Sequence, residues 1–143
     1  MKKDLITRLN EGPVLCAEGY LFAMERRGYL QAGAFVPEVV LEHPEVLSQL
    51  HREFIRSGSD VIQAFTYYGH REKLRIIGKE QLLEPLQKNA LQIAKDSREE
   101  FKDLDLMVCG DVANTNVYDP NDKKSNIECQ KMFEEQVGWA KEA

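Results

Sequence analysis

The chain has no stretch long enough and apolar enough to span a membrane. Its longest unbroken hydrophobic runs are a few residues, against roughly 20 for a transmembrane helix, so a membrane is not among the expected partners. Behind Met1-Lys2-Lys3-Asp4 there is no apolar run of signal-peptide length. Cysteine is scarce. Cys16, Cys109 and Cys129 are odd in number and far apart, and no Asn-x-Ser/Thr sequon occurs, so a disulfide framework is not indicated and a reduced, cytoplasmic setting is the simplest expectation. Positive charge is in deficit, 19 Lys and Arg against 24 Asp and Glu for a net charge of −5, which argues against general nucleic-acid affinity. Metal and phosphate signatures are missing as well. There is no CxxC, HxxxH or HExxH. Gly69 and Gly78-Lys79 are spaced too widely for a phosphate loop, and no Ser or Thr follows the lysine.

What remains is ordinary globular material: 143 residues, 43% hydrophobic and 30% charged, enough for one core and one domain. Three short apolar runs read as strands: Pro13 to Ala17, Asp60 to Phe65 and Leu104 to Cys109. None alternates strictly, which is the pattern of strands buried on both faces, as parallel strands are. Helical patterning separates them. A first helix is expected over Lys3 to Asn10, and a short one with Pro37 in its first turn. Glu45 to Ser57 places Val46, Leu47, Leu50 and Phe54 on one side and meets Gly58, a good residue to follow a helix. A longer helix is expected from near Glu84, with Pro85 tolerated in its first turn, to Phe101. The last is expected to open on Ser125-Asn126-Ile127-Glu128, a capping-box pattern, with Cys129, Met132, Phe133, Val137 and Ala140 on its apolar side. Val112 to Lys124 reads as a turn-rich loop.

The order β-α-β-α-β-α implies right-handed crossovers and a parallel sheet. A doubly wound open sheet and a (β/α)8 barrel both satisfy it. A complete barrel needs roughly 250 residues, and the helical pattern still runs at Trp139-Ala140-Lys141-Glu142-Ala143, so the chain reads as the front part of something longer.

In either architecture chemistry sits at the carboxyl ends of the strands. Those ends carry Ala17-Glu18-Gly19-Tyr20, Thr66-Tyr67-Tyr68-Gly69-His70 and Gly110-Asp111-Val112-Ala113-Asn114-Thr115. Carboxylates and tyrosines converging there would suit a small cationic or zwitterionic ligand. Plainer roles stand beside this one. Glu18 can interact with a helix dipole, Tyr67 and Tyr68 can be packing residues, and Asp111 can cap or turn the chain. Only one of the adjacent tyrosines is expected to face a pocket, because side chains alternate. The cysteines read as buried structural residues, His43 and His51 as surface residues, and Arg26-Arg27 and the Arg71 to Arg75 cluster as solvated faces.

One stretch is far more specific. Glu18-Gly19-Tyr20-Leu21-Phe22-Ala23-Met24-Glu25-Arg26-Arg27-Gly28-Tyr29 continues through Ala32-Gly33-Ala34-Phe35-Val36-Pro37-Glu38, Glu42-His43-Pro44-Glu45, Leu50-His51-Arg52-Glu53-Phe54, Gly58-Ser59-Asp60-Val61 and Phe65-Thr66-Tyr67-Tyr68. It closely resembles the amino-terminal portion of the betaine–homocysteine S-methyltransferase family. The match is strong over residues 5–75 and rests mostly on element order to about residue 140.

The resemblance implies a partial (β/α)8 TIM barrel, with residues 1–143 as about its first three βα units and the amino-terminal part of a homocysteine-binding domain. It implies transfer of a methyl group from betaine, or a similar onium donor, to the thiol of homocysteine, giving methionine. It also implies a zinc ion that binds the thiol and favours thiolate. The zinc-ligand cysteines of the family lie beyond this chain, and Cys16, Cys109 and Cys129 do not occupy their positions. No metal ligand or catalytic residue is therefore assigned here.

Carried over residue by residue, the family's Asp-Gly-Gly at the end of strand one falls on Ala17, Glu18 and Gly19, which puts the acid one position late and one methylene longer. A donor-site tryptophan aligns with Phe35. The Phe-Tyr pair after strand two aligns with Tyr67-Tyr68, which makes Tyr68 the leading donor-site residue. The substrate-side candidates are thus Glu18, Gly19, Phe35, Tyr67 and Tyr68, and the partners are small molecules, homocysteine and a methyl donor. A homo-oligomer of a full-length protein is compatible with this, since assembly elements would lie downstream. Two other functions are weighed: a non-catalytic binding module or fragment of the same fold, and a lyase-type barrel with Glu18 as general base.

Overall fold

The computed structural model describes residues 3–31 and 38–143. Phe35 and Pro37 lie outside the described residues, so the expectations placed on them have no structural counterpart. Helix α1 spans Leu5–Glu11, where the Asp4 carboxylate accepts from the Thr7 N–H at 2.8 Å and caps the first turn. Then come α2 (Tyr20–Arg26), α3 (Val39–Glu42), α4 (Pro44–Arg56), β1 (Val61–Gln63), α5 (Arg71–Ile76), a 3-10 turn at Glu80–Leu82, α6 (Leu83–Glu99), β2 (Met107–Cys109) and α7 (Lys123–Glu142).

The strands are parallel. Val61, Ile62 and Gln63 of β1 pair with Met107, Val108 and Cys109 of β2. The first expected strand is reduced to one parallel bridge, Cys16 to Val61, carried by Ala17 N–H to Val61 O at 2.8 Å and Val61 N–H to Leu15 O at 3.1 Å. Two local features stop it from lengthening. Pro13 has no N–H to donate, and the Leu15 N–H is taken by the Asp60 carboxylate at 2.8 Å. The other two strands are also shorter than expected. Past β1 the chain turns, with Thr66 N–H bonded to Ala64 O at 2.9 Å, and before β2 a turn closes from Leu104 N–H to Phe101 O at 2.8 Å.

Helices α4 and α6 pack on each other and on β1, and α6 also reaches β2 and α7. Their apolar sides build the core: Val46, Leu47, Leu50 and Ile55 from α4, with Leu83, Leu86, Ala90, Ile93 and Ala94 from α6. Pro85 falls in the first turn of α6, where its missing N–H costs nothing. Gly58 follows α4 at φ 99°, a left-handed position that a side chain would strain. Ile62 of β1 is fully buried in this core.

Expectations for Cys16, which is exposed and not buried, for His51 and for the last helix are corrected. His51 is not a surface residue: it is 1% exposed, and its Nδ1 is 2.9 Å from the Tyr20 hydroxyl. On the α4 helix it lies four residues after Leu47 and one after Leu50, on the buried side. The last helix starts before Ser125. Asp122 is its N-cap, with its carboxylate accepting from the Lys124 N–H at 2.9 Å. The Ser125 hydroxyl instead ties down the preceding loop, accepting the Asp119 N–H at 2.8 Å and sitting against the Asp119 and Asp122 carbonyls. The buried stripe of α7 is Ser125, Cys129, Met132 and Gln136, one helical face at i, i+4, i+7 and i+11. Phe133 and Val137, expected on that side, are 37% and 46% exposed.

Candidate functional site

The segments that follow Cys16, β1 and β2 meet at the carboxyl end of the strands. Two hydrogen bonds bring them into register. The buried Thr66 hydroxyl donates to the Asp111 carbonyl at 2.5 Å, joining the loop after β1 to the loop after β2. The Gln63 N–H donates to the Tyr20 hydroxyl at 3.4 Å, joining β1 to α2. Between the three segments lies an open cavity of about 320 Å³.

Glu18 and Gly19 form one side of this cavity, and the chain turns there because Gly19 adopts φ 81°, a conformation open to glycine at little cost. Tyr20, Phe22, Phe65 and Tyr67 supply aromatic walls. Tyr20 is held from behind by His51 and by Phe54, whose ring centroid is 4.8 Å away. Burial lifts the Tyr20 phenol well above its usual range, so the group stays neutral and serves as a hydrogen-bonding post. Burial holds His51 down at about 4, so its imidazole is neutral at physiological pH.

Of the residues expected at the site, Glu18, Gly19 and Tyr67 line this one cavity. Tyr68 stands against Tyr67, with ring centroids 4.1 Å apart, and the Lys73 ammonium lies 4.4 Å from the Tyr68 centroid. Tyr68 takes a left-handed backbone at φ 59°, uncommon for a residue with a side chain. That turn directs Tyr67 to the cavity and lets Gly69 N–H bond Thr66 O at 2.8 Å. The Tyr67 phenol is raised, first by its hydrogen bond to Tyr68 and then by burial.

Six lining residues, Tyr20, Leu21, Phe22, Gln63, Phe65 and Asp111, were not among the substrate-side candidates. Asp111 is half-buried on the cavity wall, and burial raises its carboxyl while the Gln63 side-chain amide pulls it the other way. Gln63 and Phe65 share the cavity face of the second strand run. The signal for Gln63 was legible: it is the lone polar residue inside Val61-Ile62-Gln63-Ala64-Phe65. A polar side chain in a doubly buried strand needs a polar partner or a cavity.

No group of three or more His, Cys, Asp and Glu side chains among the described residues is placed to hold a metal ion. Burial and the neighbouring Cys16 thiol push the Cys109 thiol up to about 12, away from the thiolate that binds metal. Cys129 is buried against the Thr115 hydroxyl at 3.0 Å. His70 is the N-cap of α5, its Nδ1 accepting from the Lys73 N–H at 3.3 Å. The described residues therefore do not fit a metal centre.

The chain resembles known proteins in sequence and in fold. Betaine–homocysteine S-methyltransferase 1 of Bos taurus is 39% identical over 142 residues, covering 96% of this chain and 34% of the relative. That of Danio rerio is 41% identical over 138 residues, covering 95% and 34%. The chain thus spans about a third of the length of these relatives. Among solved structures, the metallated form of the homocysteine methyltransferase MmuM from Escherichia coli superposes with a TM-score of 0.75 at 20% identity, over 94% of this chain and 52% of that one. This likeness shows a shared α/β fold. The model of the homocysteine S-methyltransferase family matches residues 19–143, and the chain belongs to that family.

Proposed function

We propose that these 143 residues are about the first three βα units, and the amino-terminal part, of a homocysteine-binding (β/α)8 barrel. The protein built on them transfers a methyl group from betaine, or a similar onium donor, to the homocysteine thiol. One observation carries this reading: Glu18, Gly19 and Tyr67, named from two separated stretches of the sequence, line one cavity at the carboxyl end of parallel strands. The family match and the names of the relatives support the reaction class.

In this reading the aromatic face of Tyr67, with Tyr68 stacked against it, attracts the onium group through its quadrupole, and the family resemblance assigns Phe35 to the same donor side. Glu18 and Gly19 stand on the homocysteine side. The homocysteine thiol gives up its proton to solvent. The sulfur–carbon bond of the product forms from the thiolate as the carbon–nitrogen bond of betaine breaks, the electron pair of that bond stays on nitrogen, and the donor loses its positive charge. Apolar walls keep water from competing as nucleophile. Zinc, which the family resemblance implies, would be held by cysteines outside these 143 residues, and the residues described here supply no step through it.

The test is methionine formation from betaine and homocysteine, by this chain and by the same chain extended to barrel length. The extended polypeptide is expected to be active and the 143 residues alone inactive. Activity of the short chain alone would overturn the division of labour proposed here. An inactive extended polypeptide that still binds betaine would favour the second reading, a non-catalytic binding module.

A further inference from the structure

Asp111 has the chemistry of an unanswered charge. It lies on the cavity wall, half-buried, between aromatic surfaces, and among the described residues no lysine or arginine pairs with it. A partly desolvated carboxylate is costly unless something cationic or hydrogen-bonding meets it. Among the described residues the Gln63 amide meets it, and burial still outweighs that amide in setting the carboxyl's proton affinity.

The group is nonetheless firmly placed. Its backbone carbonyl is fixed by the buried Thr66 hydroxyl at 2.5 Å. Gln63, beside its carboxylate, is anchored through its own N–H to Tyr20, which is bonded in turn to buried His51 at 2.9 Å. Thus the core holds in position a carboxylate that the core itself does not neutralise. Glu18 lines the same cavity from the α2 side and forms no ion pair among the described residues either. A ligand that brings an ammonium group would satisfy Asp111 directly.

We infer that Asp111 determines specificity for the amino group of the thiol substrate, accepting its ammonium from the Gln63 side of the cavity. The inference rests on the methyltransferase reading above and deepens it by assigning one residue of this chain to the ammonium end of homocysteine. Asp111 touches the end of the substrate that does not react, so its role is recognition.

The experiment compares homocysteine with 4-mercaptobutanoate, which lacks only the ammonium group, by calorimetric titration of the polypeptide extended to barrel length. The unsubstituted protein is expected to prefer homocysteine by about tenfold or more. Asp111→Asn is expected to lose that preference, weakening homocysteine about tenfold while leaving 4-mercaptobutanoate unchanged. A merely structural role would weaken both ligands equally, and that result overturns the inference. So does a preference for homocysteine that survives in Asp111→Asn. If Asp111→Asn does not fold, Asp111→Ser gives the same comparison. Failure of the unsubstituted protein to bind homocysteine at all would overturn the underlying reading instead.

Discussion

Buried ionisable side chains tie this site to stability in opposite directions. Burial lowers His51 to about 4 from 6.5, so the unfolded chain takes up its proton first. The contribution is complete above about pH 6.5 and is lost as pH falls towards 4. Between pH 7 and pH 5 this amounts to about 2 kcal/mol, with His70 acting in the same sense because burial lowers it too. Urea midpoints at the two pH values should show the loss, and His51→Gln should flatten it. Asp111 behaves oppositely. Its folded carboxyl is raised above 3.8, so the folded state holds that proton more tightly, and stability is lost as pH rises through the folded value. Asp111→Asn should therefore raise Tm at pH 7. Calorimetry near pH 3, where both states are protonated, should show the gain gone. A residue kept for binding at a cost in stability would behave this way.

Helix ends and packed faces set the scale of the next effects. Asp122 caps α7, so Asp122→Ala should cost about 1 kcal/mol, read from chemical denaturation. Glu128, which a capping box would require, is exposed and lies well inside the helix. Glu128→Ala should stay within about 0.5 kcal/mol, and a larger loss would restore the capping box. Leu50 is buried where α4 joins the core, and Leu50→Ala should cost about 2–5 kcal/mol.

The whole molecule carries an open sheet. Among the described residues β2 pairs with β1 alone, and apolar Val112, Tyr118, Phe133 and Val137 are exposed nearby in sequence or on α7. An unpaired strand edge beside apolar surface favours association. Sedimentation velocity on the 143-residue chain should show self-association that grows with concentration, and the chain extended to barrel length should show less. No helix is long and apolar enough to cross a membrane among the described residues.

The parallel pairing of the second and third strand runs, helices α4 and α6, and the family were legible in the amino-acid sequence, whereas the first strand run is a single bridge and helices α2 and α5 were not foreseen. Apolar spacing is a local property, and the run from Glu18 to Tyr68 carries its identity in consecutive residues. Helix α4, with Gly58 behind it, needed nothing beyond periodicity and one glycine. The strand-end loops were also the right places to look. What the tertiary structure decided was which side chains meet. Tyr67 faces the cavity and Tyr68 does not line it because of a left-handed turn that no propensity signals for tyrosine. His51 is buried because Tyr20, 31 residues earlier, bonds it. Asp111 stands beside Gln63 only because β1 and β2 pair in parallel. Each of these depends on contacts between distant segments, whose free energy is settled when the core closes and is not written in any local window of the chain.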